Sequence, residues 1–372
     1  MDSRQKNRSL YLDIARTVAI ISISLNHAVN RTFTNYDGQY QEFLNLSLGL
    51  NLLKTAVTIF SKLGVPLFLM ISGALLMKKR METTDDAKRF YKHNLLNLLI
   101  TAEIWYVIIY WCKLIMGIDC APLSETGIWE ALGGMFSTML FLDQNTLDSM
   151  WYMPMILCLY TTLPLLISAR ERLNRDRWIL LIPTVPLFLY CMVMPALNGI
   201  LYLGYAPLVD VVIREGDLLS VFYLYLLAGW LLSDGIAKRL RSWTVAIAGL
   251  LSFFIICLYQ YYAYSCPKDL VIGYEFPFLL LCAGCIFELL RRHGHRLERM
   301  RRPITYISRI SLGIYFLHIL IMIFITRLLG DTGHATLWRL LLLEVGSVGI
   351  SIPVIAITSK INIIKKHLYL IK

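Results

Sequence analysis

Charge is what this sequence has least of. Only 16% of its 372 residues are Asp, Glu, Lys or Arg, against 57% hydrophobic, and the mean hydropathy is +0.59. A soluble chain carries about a quarter charged residues. The deficit excludes a soluble enzyme of two or three domains. Also missing is any polar stretch long enough to form a soluble domain of its own, so residues 1–372 read as a single membrane domain. A signal peptide is not expected: the first apolar run lacks a small-residue cleavage site and carries Arg16. The eight cysteines make no framework. Most lie inside apolar runs, where a free Cys packs as a small hydrophobe. Cys282 and Cys285 form a C-x-x-C without partner ligands, so no metal is expected. Cys120 and Cys266 fall in predicted outer loops and could pair if that side is oxidising.

What the chain does have is apolar runs of about 17–25 residues, the length that spans a hydrocarbon core. The reading is an all-α integral membrane bundle of about ten helices. The runs are roughly 11–30, 50–77, 94–117, 151–168, 178–196, 218–233, 243–263, 270–290, 304–326 and 338–359. Residues 128–142 are too polar to span and read as a short amphipathic surface piece. The formal charge of +11 does not point to nucleic acid, because the basic residues fall in short clusters between the runs. Segments 1–10, 78–93, 169–177, 234–242, 291–303 and 360–372 hold 26 of the 36 Lys and Arg, and the opposite loops hold six. Basic loops face the cytoplasm, so both termini are expected there. The longest outer segment, about 118–150, has no Lys or Arg.

Ionisable groups at membrane depth are costly and mark sites or buried pairs. Arg16 and His27 are eleven residues apart on the first run. Eleven steps of about 100° fall about 20° from whole turns, so the two share a face about 16 Å apart along the axis. A snorkelling Arg and a His at the headgroups would look the same. On the ninth run His318 is expected at a depth similar to that of His27, and a neutral imidazole suits general-base work. Arg309 faces the other way. Other buried charges are Lys54 and Lys62 on the second run, Glu275 and Glu344 on the eighth and tenth, and Glu103 near mid-membrane on the third, which needs a cationic partner or a proton. Lys62 precedes Gly64 and Pro66, where a helix break is expected and such a break lines a cavity or is buried in protein. A structural Lys–Glu pair is the other reading. Lys78, Lys79, Arg80, Lys88, Arg89 and Lys92 could hold a phosphate-rich ligand. They could equally serve topology and anionic lipid.

Several stretches together resemble a known family. They are YLDIARTVAIISISLNHAV with Arg16 and His27, GVPLFLMISGALL from Gly64, the Arg89-Phe-Tyr-Lys92 pattern, WYMPMILCLYTTLPLL from Trp151, and ISRISLGIYFLHILI from Ile307. From about residue 8 to 360 the chain resembles the bacterial membrane acyltransferases of family three, most of all the branch with the enterobacterial common antigen O-acetyltransferase. The resemblance implies a ten-helix bundle in the bacterial cytoplasmic membrane. It implies O-acyl, most simply O-acetyl, transfer from cytoplasmic acyl-CoA to a hydroxyl of an envelope glycan or lipid-linked saccharide. Arg16 and His27 match the family's functional pair, Arg89 and Lys92 its basic motif, and Lys62 a position that is often basic. Lys92 replaces the usual second Arg. Ser149 and Met150 stand where the family often has His, which weakens a catalytic role for the fourth run.

The expected chemistry follows. Acyl-CoA docks at the inner basic face, near Arg89, Lys92 and Arg16, with Lys62 also donor-binding. His27 is the general base. His318 is the second choice, binding the acceptor or donating to the oxyanion. Direct transfer is preferred to an acyl-enzyme. The rival class is a transporter or flippase for a glycan or acyl precursor, which also carries buried charges and broken helices. Nothing in the chain sets an oligomeric state.

Overall fold

A backbone in lipid must satisfy its own hydrogen bonds, and a helix does so within one segment. The computed structural model describes residues 9–34, 38–118, 121–142, 150–173, 179, 181–210, 220–330 and 332–371, and no strand occurs among them. α1 is Leu10–Thr32, α2 Gln39–Asn45, α3 Leu48–Ser61 and α4 Gly64–Leu76. α5 (Thr84–Phe90) passes through a π-helical turn (Tyr91–Leu95) into α6 (Leu96–Met116), followed by α7 (Ile128–Met139) and α8 (Tyr152–Arg172). α9 (Thr184–Phe188) runs through a second π turn into α10 (Met194–Leu203), then come α11 (Phe222–Ser233) and α12 (Ser242–Tyr264). α13 (Pro277–His293) continues through a 3-10 segment (Gly294–Met300) into α14 (Arg301–Leu329), ahead of α15 (Leu337–Thr358) and α16 (Asn362–His367).

Among the described residues, eight helical stretches are long and apolar enough to cross a membrane, and the chain is a multi-pass membrane protein. The difference from the expected ten has two sources. Pro277–Leu329 is one stretch of 53 residues, although the 3-10 segment interrupts it, and Phe222–Ser233 is short at 12. Boundaries moved elsewhere. The expected eighth run starts at residue 270, but the helix begins at Pro277. Residues 270–276 stay non-helical because side chains satisfy their backbone: Gln260 Oε1 accepts from Ile272 N at 2.8 Å, and Tyr225 OH donates to Tyr274 O at 2.6 Å. Residues 84–93, expected in a loop, are helical. A capping box starts them, with Asp86 N donating to Thr83 Oγ1 and Thr83 N to Asp86 Oδ2. The surface piece 128–142 contains α7, with Trp129 exposed and Ala131 buried.

The chain clusters into two compact units. The first comprises Met1–Lys79, Arg172–Ser311 and Leu329–Glu344. Here helices meet through glycines. A Cβ on Gly64 would lie 2.7 Å from Ala19 O of α1. Gly73 of α4 lies against the Leu226 backbone of α11, and Gly229 of α11 against Met70 of α4. Small residues allow this approach where lipid supplies no hydrophobic drive between helices. The second unit comprises Arg80–Glu171, Leu312–Leu328 and Val345–Lys372. Trp105 stacks on Phe316 at 5.1 Å, and its Nε1 donates to Leu368 O at 2.9 Å. Tyr110 OH seats α7 by donating to Ala131 O at 2.8 Å.

The loop charges predict topology directly. In a cysteine-free variant, single cysteines in 291–303 should resist impermeant maleimide in intact cells, and those in 118–150 should label. Labelling of 291–303 from outside would reverse the orientation.

Candidate functional site

α1 is unbroken from Leu10 to Thr32, so Arg16 and His27 share its face as their spacing requires; both are half-buried. At the N-terminal end of α1, Asp13 is buried at 1% exposure. Its Oδ1 accepts from Ser308 Oγ at 2.7 Å and its Oδ2 from Thr305 Oγ1 at 3.2 Å. Arg16 Nη1 donates to the same Ser308 Oγ at 3.4 Å, and Thr17 Oγ1 donates to Ile304 O at 3.2 Å. Asp13, Arg16 and Thr17 therefore tie the start of α1 to the start of α14. The sequence places Asp13 one turn before Arg16, but its partners lie nearly 300 residues away and carry no charge to betray them.

His27 lies at the other end of α1. The expected break is present: α3 ends at Ser61, Lys62 caps it, and α4 restarts at Gly64 with Pro66 in its first turn. There a missing N–H costs nothing. Asn26 Nδ2 donates to Ser61 Oγ at 3.0 Å. The neighbours of His27 and Lys62 are thus hydrogen-bonded, and the two residues occupy one region of the first unit. Lys62 Nζ sits over the Tyr274 ring, 5.7 Å from its centroid, and Glu275 acts on it electrostatically. One turn before His27, Ser24 hydrogen-bonds Glu344 of α15. Lys62, Glu275 and Glu344 belong to the same compact unit as His27.

Lys54 has a different task. It is fully buried, and its Nζ donates to Glu42 Oε1 at 2.8 Å and Thr34 O at 2.6 Å, with the Tyr264 ring 4.2 Å away. Glu42 Oε2 accepts from Thr34 N at 2.9 Å and contacts His334 Nε2 at 3.0 Å. This buried Lys–Glu pair joins Lys54, not Lys62, to Glu42 of the short α2.

His318, Arg89 and Lys92 belong to the second unit. His318 is fully buried, and its Nδ1 lies 2.8 Å from Ile314 O. A carbonyl only accepts, so Nδ1 carries the proton and Nε2 is the basic atom. The Tyr315 ring lies 6.2 Å away, itself beside Tyr152 at 6.0 Å. Arg89 and Lys92 are exposed on successive turns, at the junction of α5 with the π turn. Such π turns recur at functional sites. Asp85 sits 3.2 Å from Lys88, so this cationic stretch also holds carboxylates of its own. Glu103 of α6 has its Oε2 buried without a hydrogen-bond partner among the described residues. No group of His, Cys, Asp and Glu suited to a metal occurs among the described residues. Cys266 is a buried thiol; Cys120 and Ser149 lie outside the described residues.

A family model described as an acyltransferase domain matches residues 9–356, nearly the whole chain. No curated protein and no solved structure matches it.

Proposed function

We propose that this chain, which belongs to acyltransferase family 3, moves an acyl group, most simply acetyl, from cytoplasmic acyl-CoA to a hydroxyl of an envelope glycan or lipid-linked saccharide. It is a membrane acyltransferase; donor, acceptor and the bacterial cytoplasmic membrane as its location are our reading. The reading takes the whole chain as one catalytic domain with about ten spans and both termini inside. The observation that carries it is the cluster at the end of α1. His27 lies one residue from Asn26 and Lys62 one from Ser61, and the Asn26–Ser61 hydrogen bond holds these neighbours together beside a helix break.

In this reading the acceptor O–H gives its proton to His27 as its oxygen attacks the thioester carbonyl. The tetrahedral intermediate collapses, the C–S bond breaks, and the proton returns from His27 to the leaving thiolate. One imidazole thus serves both half-steps, and no acyl-enzyme is needed. Lys62 offers the donor a positive charge, and Arg16 marks the other end of the same helix face. His318, with Nδ1 committed to Ile314 O, keeps the second-choice role of orienting the acceptor. Arg89 and Lys92 take the CoA phosphates.

Mass spectrometry of envelope glycans from cells with and without the protein tests the reaction. A mass gain fitting acetyl or another acyl group is expected, and identical glycans would remove the glycan acceptor. For donor recognition, Arg89→Ala and Lys92→Ala should each raise the KM for acyl-CoA by about ten- to hundredfold, as loss of a charge-assisted contact worth about 1.5–3 kcal/mol implies. The acceptor KM should move less. An unchanged acyl-CoA KM would leave these two residues a purely topological role.

A further inference from the structure

Away from the α1 cluster, the first unit holds an apolar cavity of about 340 Å³ among α11, α12 and α13. Leu231, Leu232, Val245, Ala248, Leu280 and Gly284 line it, and exposed Ile236, Leu240 and Leu281 form its rim. At about 30 Å³ per water-sized group, it holds roughly a ten-carbon stretch of hydrocarbon chain. Glycine at 284 keeps it open: a Cβ there would touch nothing nearer than Leu232 Cδ1 at 3.7 Å.

Charged side chains border it. Glu288 lines the cavity at 1% exposure and accepts from Arg291 Nε at 2.7 Å and Arg292 Nε at 2.6 Å. Arg292 also donates to Ala237 O at 2.6 Å and Leu240 O at 2.7 Å, fixing the turn between α11 and α12 over the cavity. That turn alternates cavity-lining residues with cations. Ile236, Ala237 and Leu240 line the cavity, while Lys238, Arg239 and Arg241 are exposed. Asp234 is the acid of this turn. With Glu288 neutralised by two arginines, the mouth is net positive beside a hydrocarbon-sized slot.

The geometry points to a binding site for one anionic phospholipid, an acyl chain in the α11–α13 cavity and its phosphate on Lys238, Arg239 and Arg241. Each cation near an anionic headgroup contributes about a fivefold preference, and three together allow a selectivity well above tenfold over a zwitterionic lipid. The site is independent of the acyl-transfer reading.

Native mass spectrometry of the full protein in detergent, supplied with phosphatidylglycerol or phosphatidylcholine, tests it. Wild type should retain phosphatidylglycerol at least about tenfold better. The triple variant Lys238→Gln, Arg239→Gln, Arg241→Gln should lose that preference. Gly284→Leu, which fills the slot, should retain less of either lipid. Binding at other basic turns is a background common to all variants. Equal retention of the two lipids by wild type overturns the site, as does undiminished phosphatidylglycerol retention in the triple variant. That variant alters only exposed side chains, so it decides the matter even if Gly284→Leu does not fold.

Discussion

His27→Gln will cut turnover by about 10²–10⁴, the share a positioned general base supplies. Glutamine keeps the size of the side chain and can hydrogen-bond, but it cannot accept a proton. His27→Ala should be no worse. Both variants should insert and accumulate normally, because α1 keeps its Asp13–Ser308 and Asn26–Ser61 anchors, neither of which uses the imidazole. Acyl-CoA binding should persist, which separates loss of chemistry from loss of substrate. His318→Ala should cost less if that residue only orients the acceptor. The decisive measurement is single-turnover transfer at equal protein level. Near-normal transfer by His27→Gln would defeat the base assignment and move the role to His318 or Glu103.

The largest structural loss is expected from Lys54→Met. The Lys54 and Glu42 side chains are 1% and 9% exposed. Removing one partner of a buried ion pair leaves an uncompensated charge and costs about 3–5 kcal/mol. Glu42 would keep Thr34 N and His334 but lose the ammonium. Glu42→Leu strands Lys54 in the same way, with Thr34 O as its remaining oxygen. The double variant Lys54→Met, Glu42→Leu should recover much of the loss, since paired apolar replacement of a buried ion pair is often neutral. Thermal unfolding in detergent of the two singles and the double closes the cycle. Additive losses would mean the pair is not a unit.

Much of this was legible in the sequence because lipid reduces folding to a few strong rules. Apolar length located the helices. The eleven-residue spacing of Arg16 and His27 fixed their common face, and Gly64 with Pro66 marked the break beside Lys62. The rest depends on contacts that no local pattern encodes. Glu42 lies outside every apolar run, so nothing marked it as the partner of Lys54. Ser308 and Thr305 are small neutral residues that matter only because Asp13 meets them. Residues 270–276 look like the start of a span, and only Gln260 and Tyr225, reaching from other helices, let them stay non-helical. The π turn at 91–95 shifts the helix by a single residue, too little to disturb the apolar pattern.

The glycine contact between α4 and α11 has a different implication. Gly73 and Gly229 let two backbones touch, and neither helix contains an Asp, Glu, His, Lys or Arg. Its cohesion rests on dispersion between close-packed atoms, which proton and salt concentration do not touch. The Asp13–Ser308 and Glu42–Lys54 contacts, by contrast, are made through carboxylates. The α4–α11 pair should then survive as the residual ordered element of an acid-treated protein, detectable as the slowest-exchanging amides.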